Sequence, residues 1–272
     1  FAGESMKKKF FLHIIALTLL LGSCAYYNTF YNARQFYKSA HNQTRKRFSG
    51  SVSASEKQNY QMAIEKAQKV LDQYSDSKWV DDALFMQIKS YYYLEDYHNS
   101  IRRYQLLAAN FPESEYIQEA MLWKSRAQLS LGQYASADST LQQVLNTSSN
   151  TLLRARGSFY LAQYYESQQE FVQSLDQYKS ALELGLKELR AEALFRAGVM
   201  CDTLFMYERA GNYYGEVADM PVNDKLEFEA EFRYALTRRG LGKYDVTIDL
   251  LGNLLGNELN KEHYAQLELE IG

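Results

Sequence analysis

The chain has 272 residues, of which 46% are hydrophobic, and its formal net charge is −3. This length suits one large domain or a modest repeat array with a sizeable buried core. The slightly acidic balance gives no electrostatic basis for binding nucleic acid. The sequence contains 2 prolines, which favours long helices, because proline removes an amide donor and clashes with the preceding helical turn.

The N-terminal segment is predicted to be an export signal. Residues 1–5 precede Met6 and are interpreted as translation upstream of the true start. Residues 6–23 combine a run of lysines, an apolar stretch at 10–21 and two small residues, as in a secretory signal peptide. A membrane-spanning helix needs roughly 20 apolar residues, so this shorter stretch predicts a cleaved signal peptide rather than a permanent span.

A lipid anchor is predicted at Cys24, because Leu21-Gly22-Ser23-Cys24 is similar to the bacterial lipobox. The resemblance implies cleavage before Cys24 and acylation of its thiol, where each buried methylene contributes about 0.8 kcal/mol of membrane binding. Ala25 follows, whereas proteobacterial lipoproteins that stay at the inner membrane usually carry aspartate there. The analogy therefore implies the bacterial outer membrane, on its periplasmic face. The alternative is an ordinary cleavage site with an incidental cysteine.

Residues 24–55 are predicted to hold the anchor, one helix and a loop. Phe30, Ala33, Tyr37 and Ala40 are spaced at 0, 3, 7 and 10, which places them on one helical face. We interpret this helix as an unpaired second helix that caps the array. After it, Ser53 to Glu56 has the spacing of a capping box for the next helix.

A period of 36 or 37 residues organises residues 56–272. It is defined by six aromatic residues, which are Tyr60, Tyr97, Tyr134, Phe171, Tyr207 and Tyr244. A small residue follows each aromatic at offset 3, and mainly apolar residues follow at 7 and 10, so each aromatic is predicted to open an amphipathic helix. The preceding halves repeat as well, and Gly132 and Gly242 are predicted to mark the turn within a pair.

A helix pair of this length cannot cover its own apolar faces, and stacking the pairs buries them. The sequence therefore predicts an all-α fold, a right-handed α-solenoid of antiparallel helix pairs with about five to six units. Residues 261–272 start a first helix without a second one, so the array is expected to be incomplete at its C-terminus.

The repeated columns resemble the second half of the tetratricopeptide repeat (TPR). The stretches 74–79 and 111–116 look like the inter-repeat loops of periplasmic members, notably the BamD outer membrane protein assembly factor family. That resemblance implies a lipid-anchored periplasmic scaffold for outer-membrane protein assembly, which binds other envelope proteins or extended peptides. Two alternatives remain open. One is an accessory lipoprotein of the cell wall or of polysaccharide export, and the other is the targeting arm of an envelope enzyme whose catalytic domain lies beyond residue 272.

The repeat family also implies a partner-binding groove lined by the first helices. Carried over by register, the candidate residues are Phe85, Lys89, Tyr92, Leu122, Arg126, Phe159, Gln163, Phe195, Val199, Phe232 and Arg239. For the phenylalanines the favoured interpretation is that they fill space between stacked units, because a row of exposed rings would form an unusually large apolar patch.

No catalytic, cofactor or metal site is predicted. The four histidines are scattered, no nucleophile elbow is present, and Gly240-Leu241-Gly242 lacks the third glycine of a phosphate-binding turn. Cys201 is interpreted as a half-buried packing thiol. The sequence therefore predicts a binding protein rather than an enzyme, with its membrane contact made through the acyl chains.

Overall fold

The computed structural model describes residues 28–44 and 51–272. These residues form helices connected by turns and loops, and none of them lies in a β-strand. Helix α1 covers 28–44. The remaining elements are α2 (Ala54–Gln73), α3 (Val80–Tyr93), α4 (Tyr97–Asn110), α5 (Ile117–Ser130), α6 (Tyr134–Thr147), α7 (Thr151–Ser167), α8 (Phe171–Glu183), α9 (Arg190–Thr203), α10 (Tyr207–Ala218), α11 (Asp224–Gly240), α12 (Tyr244–Gly256), a 3₁₀ turn (Glu258–His263) and α13 (Tyr264–Ile271). The all-α prediction is confirmed.

The predicted upstream segment, the signal peptide and Cys24 lie outside the described residues, so these assignments stay predictions. Within the described part of the chain, no helix is both long and apolar enough to cross a bilayer. The described residues form two compact units. Unit 1 comprises α1 to α5 and ends at Leu131, and unit 2 begins at Gly132 and comprises α6 to α13. Within each unit, helices that follow one another in sequence pack against each other.

The predicted helix starts are confirmed at Tyr97, Tyr134, Phe171, Tyr207 and Tyr244, where α4, α6, α8, α10 and α12 begin. Each of these helices follows a turn with the same backbone. The residue two positions before the aromatic has a left-handed φ in every case: Glu95 (62°), Gly132 (69°), Gln169 (60°), Phe205 (58°) and Gly242 (73°). The turns predicted at the two glycines are therefore confirmed, and three other residues adopt the same conformation at a cost in strain.

The prediction for Tyr60 is wrong, because α2 begins earlier, at Ala54, and Tyr60 lies fully buried inside the helix. The predicted capping box sets this earlier start. The Glu56 amide donates to Ser53 Oγ at 3.3 Å, and the Ser53 amide donates to a Glu56 carboxylate oxygen at 2.8 Å. Side-chain oxygens thus satisfy the free amides of the first turn, and the helix forms before the repeat column begins.

The small-residue column is buried throughout, at 3% exposure or less, in Ala63, Ser100, Ala137, Ser174, Ala210 and Thr247. These positions let the two helices of a pair approach closely. Where the small residue has a hydroxyl, it donates to the carbonyl oxygen twelve residues earlier. The three bonds are Ser100 to Ile88 (2.9 Å), Ser174 to Ala162 (3.0 Å) and Thr247 to Ala235 (3.4 Å). A buried hydroxyl needs such a partner, and the helix pairing supplies it.

Helix α1 is the first helix of a pair with α2, so its prediction as an unpaired second helix is wrong. Its Thr44 hydroxyl donates to Glu56 at 2.9 Å and lies 3.0 Å from the Tyr60 hydroxyl, both on α2. Its His41 ring lies 5.7 Å from the ring of Tyr93 on α3. First helices also contact one another along the array, as α3 and α5 do. A 0, 3, 7, 10 spacing marks an apolar face, which both helices of a pair possess.

Candidate protein-interaction surface

Helices α1 to α5 of unit 1 carry a continuous set of aromatic side chains, most of them on the first helices α1, α3 and α5. We call this set the aromatic band; it comprises Tyr37, His41, Tyr60, Tyr92, Tyr93, Tyr97 and Trp123. Ring centroids are 5.9 Å apart for Tyr37 and Tyr60, 4.9 Å for Tyr60 and Tyr93, and 5.4 Å for Tyr93 and Trp123. These separations fall in the range that aromatic pairs prefer. The band therefore links α1, α3 and α5 through direct ring contacts.

Two cations lie on the faces of these rings. The Lys89 ammonium is 4.0 Å from the ring centroid of Phe85 and 4.9 Å from that of Tyr37. The Arg126 guanidinium carbon is 4.3 Å from the ring centroids of both Tyr92 and Trp123. A cation over an aromatic face contributes about 0.5–1 kcal/mol at an exposed site. Both cations are half-buried and are held in place by the rings beneath them.

The band also brings charges from different helices together. Burial raises the pKa of the Tyr37 hydroxyl well above its ordinary value, and the neighbouring Tyr93, Tyr60 and Glu119 raise it further, against the opposing effect of Arg126. Tyr37 belongs to α1, whereas Glu119 and Arg126 belong to α5. The neutral phenol of Tyr37 therefore lies within the electrostatic reach of Glu119 and Arg126 on α5.

Unit 2 builds a different surface from the same helices of the repeat. Glu166 of α7 accepts hydrogen bonds from the Tyr178 hydroxyl of α8 and from Arg196 of α9, each at 2.8 Å. We call this three-residue arrangement, which joins both helices of a pair to the first helix of the next pair, a polar clasp. Burial raises the pKa of Tyr178, and the adjacent Glu166 carboxylate raises it further.

A second polar clasp recurs one repeat later. Asp202 of α9 accepts a hydrogen bond from the Tyr214 hydroxyl of α10 at 2.9 Å. Arg233 of α11 supplies the positive charge. Burial raises the pKa of Asp202, and this rise is opposed by the Tyr214 hydrogen bond and by the charge of Arg233. The two clasps use the same residue types on corresponding helices, but Arg233 acts on Asp202 through its charge and not through a hydrogen bond.

The clasps and the aromatic band occupy corresponding repeat positions. The clasp acids, Glu166 and Asp202, lie five residues before a repeat aromatic, where unit 1 has Tyr92. Arg196 lies eleven residues before the next aromatic, where unit 1 has Trp123. One pair of repeat positions therefore decides whether the first helices meet through rings or through charges.

Four of the predicted groove residues lie in the core, and their assignment as partner contacts is corrected here. Phe85, Leu122, Phe159 and Phe232 are only 6%, 2%, 1% and 6% exposed. Phe85 stacks on Tyr116 with centroids 4.8 Å apart, and Phe159 meets the Tyr178 ring edge-on at 5.6 Å. Burying these rings between helices releases apolar surface from water, which is the favoured alternative interpretation of this column.

The other groove candidates stay on or near the surface, and their role in binding stays a prediction. Lys89, Tyr92 and Arg126 belong to the band and its cations. In unit 2, Phe195 packs against Tyr214 with centroids 5.7 Å apart. Gln163 and Val199 are half-buried, whereas Arg239 is exposed and ion-paired with Glu270 of α13. The unit 1 candidates that stay near the surface, Lys89, Tyr92 and Arg126, thus all contact the rings of the aromatic band.

Sequence reasoning missed both the full band and the clasps. The clasps had a periodic signal, because Glu166 and Asp202, Tyr178 and Tyr214, and Arg196 and Arg233 are separated by 36, 36 and 37 residues. Aligning polar columns as well as apolar ones would have found them. The band has no such signal, since its rings come from unlike repeat positions. Its members missed by the register argument are Tyr37, His41, Tyr60, Tyr93, Tyr97 and Trp123.

The structure places no metal-binding group of histidine, cysteine and carboxylate residues within the described part of the chain. Cys201 is a packing thiol in the core of unit 2, and it is fully buried rather than half-buried as predicted. Burial raises the pKa of this thiol. A thiol that stays protonated is a poor nucleophile and metal ligand.

Comparison with known proteins supports the repeat architecture. A tetratricopeptide repeat family model matches residues 82–114 and 119–151, which correspond to α3–α4 and α5–α6. No curated protein matches the sequence. The fold is similar to PilW, a type IV pilus biogenesis factor, with a TM-score of 0.64 and 12% identity over 86% of this chain and 97% of PilW.

Two further solved structures are similar. Pseudomonas aeruginosa PilF gives a TM-score of 0.63 and 11% identity over 89% of this chain and 99% of PilF. The MamA protein gives a TM-score of 0.54 and 17% identity over 69% of this chain and 97% of MamA. At these identities the likeness concerns the fold. The chain has an all-α, TPR-like fold, as the sequence period predicts, and the tetratricopeptide repeat model matches two segments of it.

Proposed function

We propose that this chain is a protein–protein interaction scaffold, anchored to the outer membrane by acyl chains on Cys24 and facing the periplasm. The tetratricopeptide repeats support protein binding as the general role. The observation that carries the proposal is the aromatic band with Lys89 and Arg126 fixed on its rings. It combines the residue types, tyrosine, tryptophan and arginine, that dominate the binding energy of protein interfaces.

The band suits a partner surface for a physical reason. Five of its rings are half-buried and packed on one another or on the buried rings of Tyr60 and Trp123, so little conformational entropy remains to be lost when a partner covers them. The cations are positioned in the same way. A partner segment with apolar side chains and a carboxylate would therefore bury these rings and be attracted by the positive charges of Lys89 and Arg126.

The anchor places unit 1 near the membrane. Position 28, the first described residue of α1, lies four residue steps after Cys24. An extended chain spans at most 3.3–3.6 Å per residue, so this link reaches no more than about 14 Å. Acylation at Cys24 would therefore hold the aromatic band within reach of proteins embedded in the same membrane.

The anchor is tested by metabolic labelling with an alkyne fatty acid, followed by fractionation of the envelope. The wild-type chain should carry the label and sediment with outer membranes, and Cys24→Ala should lose both properties. Cys201→Ala is the matched control and should keep the label. Labelling of Cys24→Ala, or an unlabelled wild-type chain in the soluble periplasm, would overturn the anchor.

The pathway proposed from the lipobox and the inter-repeat loops is outer-membrane protein assembly. A photo-crosslinking residue in place of Tyr92 should capture a β-barrel protein of the outer membrane, and Arg126→Glu should reduce that crosslink. Type IV pilus biogenesis is the second candidate, favoured by the fold likeness to PilW, which is described as a pilus biogenesis factor. Crosslinks to pilus proteins would decide for it, and crosslinks to cell-wall enzymes would contradict both.

A further inference from the structure

A cleft of about 320 Å³ lies between α8, α9 and α10 of unit 2. Its floor is formed by Leu175, Cys201 and the Tyr213 ring, and its rim by Lys179, Arg209 and Asn212. The floor is buried or half-buried, whereas the three rim side chains are exposed. None of these six residues belongs to a predicted groove column or to a polar clasp. The cleft is therefore a surface separate from the one proposed above.

The rim carries two cations and an amide over an apolar floor. Arg209 has no carboxylate within ion-pair distance among the described residues, and its recorded polar contact is with the Met206 sulfur at 4.0 Å. Lys179 is 3.9 Å from Asp176 of its own helix, and because both are largely exposed this pair is weak. No acidic residue lines the cleft. The guanidinium donors of Arg209 are thus available to an anion.

Acidic groups lie near the cleft, and one of them is already ion-paired with another residue. Burial is the largest cause of the raised pKa of Tyr213, and the charges of Glu216 and Glu183 raise it further. Glu216 is paired with Arg190 at 3.1 Å. The free donors at the rim therefore come from Arg209, with Lys179 as a second cation and Asn212 as a neutral donor.

The turn that joins α9 to α10, directly beside this rim, exposes two apolar side chains. Phe205 is 77% exposed and Met206 is 37% exposed. The corresponding turns carry polar or glycine residues at both places, namely Glu95-Asp96, Gly132-Gln133, Gln169-Glu170 and Gly242-Lys243. Phe205 also has a φ of 58°, a strained conformation for an aromatic residue. An exposed aromatic ring and a strained backbone both lower the stability of the fold, so their presence at this turn indicates a role in binding.

We propose that this cleft and the Phe205-Met206 turn together form a second docking site, for an acidic and apolar segment of a partner protein. A carboxylate of the segment would accept hydrogen bonds from Arg209, with Lys179 adding charge. An adjacent apolar side chain would pack on Phe205 and Met206 or enter above Leu175. The volume is at the small end for ligand pockets, so the site takes a short segment with one or two inserted side chains.

The test uses short random peptides displayed on phage and selected against the full chain, with the affinity of enriched peptides measured by fluorescence anisotropy. Enriched peptides should contain aspartate or glutamate beside an apolar residue. Replacing those acids by their amides should weaken binding about tenfold or more, and so should Arg209→Glu. Lys225→Glu, the same charge change at an exposed position of α11, is the matched control and should leave the affinity unchanged.

Phe205→Gly separates binding from folding. Glycine removes the ring and relieves the left-handed backbone, so this variant should lose peptide affinity without losing thermal stability. Enriched peptides without acidic residues, or equal binding to Arg209→Glu, would overturn the proposal. The proposal would also be overturned if the peptides did not bind and Arg209 were needed instead for binding phosphatidylglycerol vesicles. The same holds if Arg209 were needed only for self-association, measured by sedimentation velocity. Variants of Arg126 report on the aromatic band and leave this test unaffected.

Discussion

The two units solve the same packing problem with different side chains. In both, the small-residue column is buried to 3% exposure or less, and the aromatic-led helices begin after left-handed turns. The units differ at two repeat positions, which hold Tyr92 and Trp123 in unit 1 but Glu166 and Arg196 in unit 2. The close helix contacts therefore tolerate little variation, whereas the neighbouring positions can be apolar or charged. Those positions are where a solenoid can change its partner while keeping its fold.

The difference has an energetic consequence. Rings at these positions stabilise unit 1 by burying apolar area, at roughly 25 cal/mol per Å². The clasps of unit 2 exchange hydrogen bonds with water for hydrogen bonds within the protein, so the net gain of each is small. Comparable substitutions should therefore cost more in the band than in the clasps, and the predictions below test this ranking.

The largest effect is expected for Trp123→Ala. This side chain is 8% exposed and contacts Tyr92, Tyr93 and Arg126, so its removal should leave a cavity and release a stacked cation. We expect the free energy of unfolding to fall by about 3–5 kcal/mol in urea titrations monitored by circular dichroism. Arg196→Ala, at the corresponding position of unit 2, is the matched comparison and should cost clearly less. Equal losses would contradict the ranking of the two units.

Gly198→Ala tests the close approach beneath the second clasp. A methyl group there would lie 2.6 Å from the Tyr214 ring, so the ring must move away from Asp202. The expected loss is about 1–3 kcal/mol in the free energy of unfolding. The control is Gly252→Ala in α12, where an added methyl group meets no atom within 4 Å. Alanine should stabilise that helix by about 0.5–1 kcal/mol, so two losses of similar size would contradict this explanation.

The first clasp should give a smaller effect, because Glu166 and Arg196 are 22% and 39% exposed and solvent screens their charges. A double-mutant cycle of Glu166→Gln and Arg196→Met should yield a coupling energy of about 0.5–1 kcal/mol, lower at high salt. The matched cycle in unit 1 pairs Tyr92→Leu with Arg126→Met, and its coupling should resist salt better because it includes ring contact. Identical salt dependence in both cycles would mean that the band and the clasps do not differ in kind.

The sequence predicted the repeat architecture well, because the residues that recur with the repeat period are those buried between helices. Side-chain spacing predicted the face that each helix buries, and the left-handed residues Glu95 and Gln169 set the helix starts at Tyr97 and Phe171. Predictions failed where the repeat period gives no information about which helices pack together. Helix α1 shares the spacing of a second helix, and only its contacts with Tyr60 and Tyr93 show that it is a first helix.

The candidate surface was predicted less well than the fold. Register placed Lys89 and Arg126 on first helices, where both stay half-buried, but it placed Phe85 and Phe159 on a groove that their burial excludes. The position of a residue in the repeat tells on which face of its own helix the side chain lies. Its burial also depends on the side chains that neighbouring helices pack against it. The band arises from such neighbours, and pairwise contacts of this kind leave no periodic trace in one chain.

The smallest expected effect is the pH dependence that Asp202 of the second clasp contributes to stability. Burial raises the pKa of Asp202 above its ordinary value of 3.8, so the folded chain holds this proton more tightly than the unfolded chain does. The contribution of Asp202 to stability is therefore full below pH 3.8 and is lost as the pH rises through the folded-state pKa. Asp202→Asn is neutral throughout. The difference in free energy of unfolding, variant minus wild type, should rise with pH from about 3.8 and then level off.

Tyr214→Phe sharpens this last test. Its hydroxyl donates to Asp202 and lowers that pKa against the effect of burial, so removing it should raise the pKa further. In the Tyr214→Phe background, Asp202→Asn should therefore give a larger rise, and one that extends to higher pH. The aromatic band offers the contrast, because the phenol of Tyr37 has its pKa raised above 10.0 and stays neutral over this whole range. A rise of equal size in both backgrounds would mean that the Tyr214 hydrogen bond does not hold the carboxylate, and the second clasp would lose its physical basis.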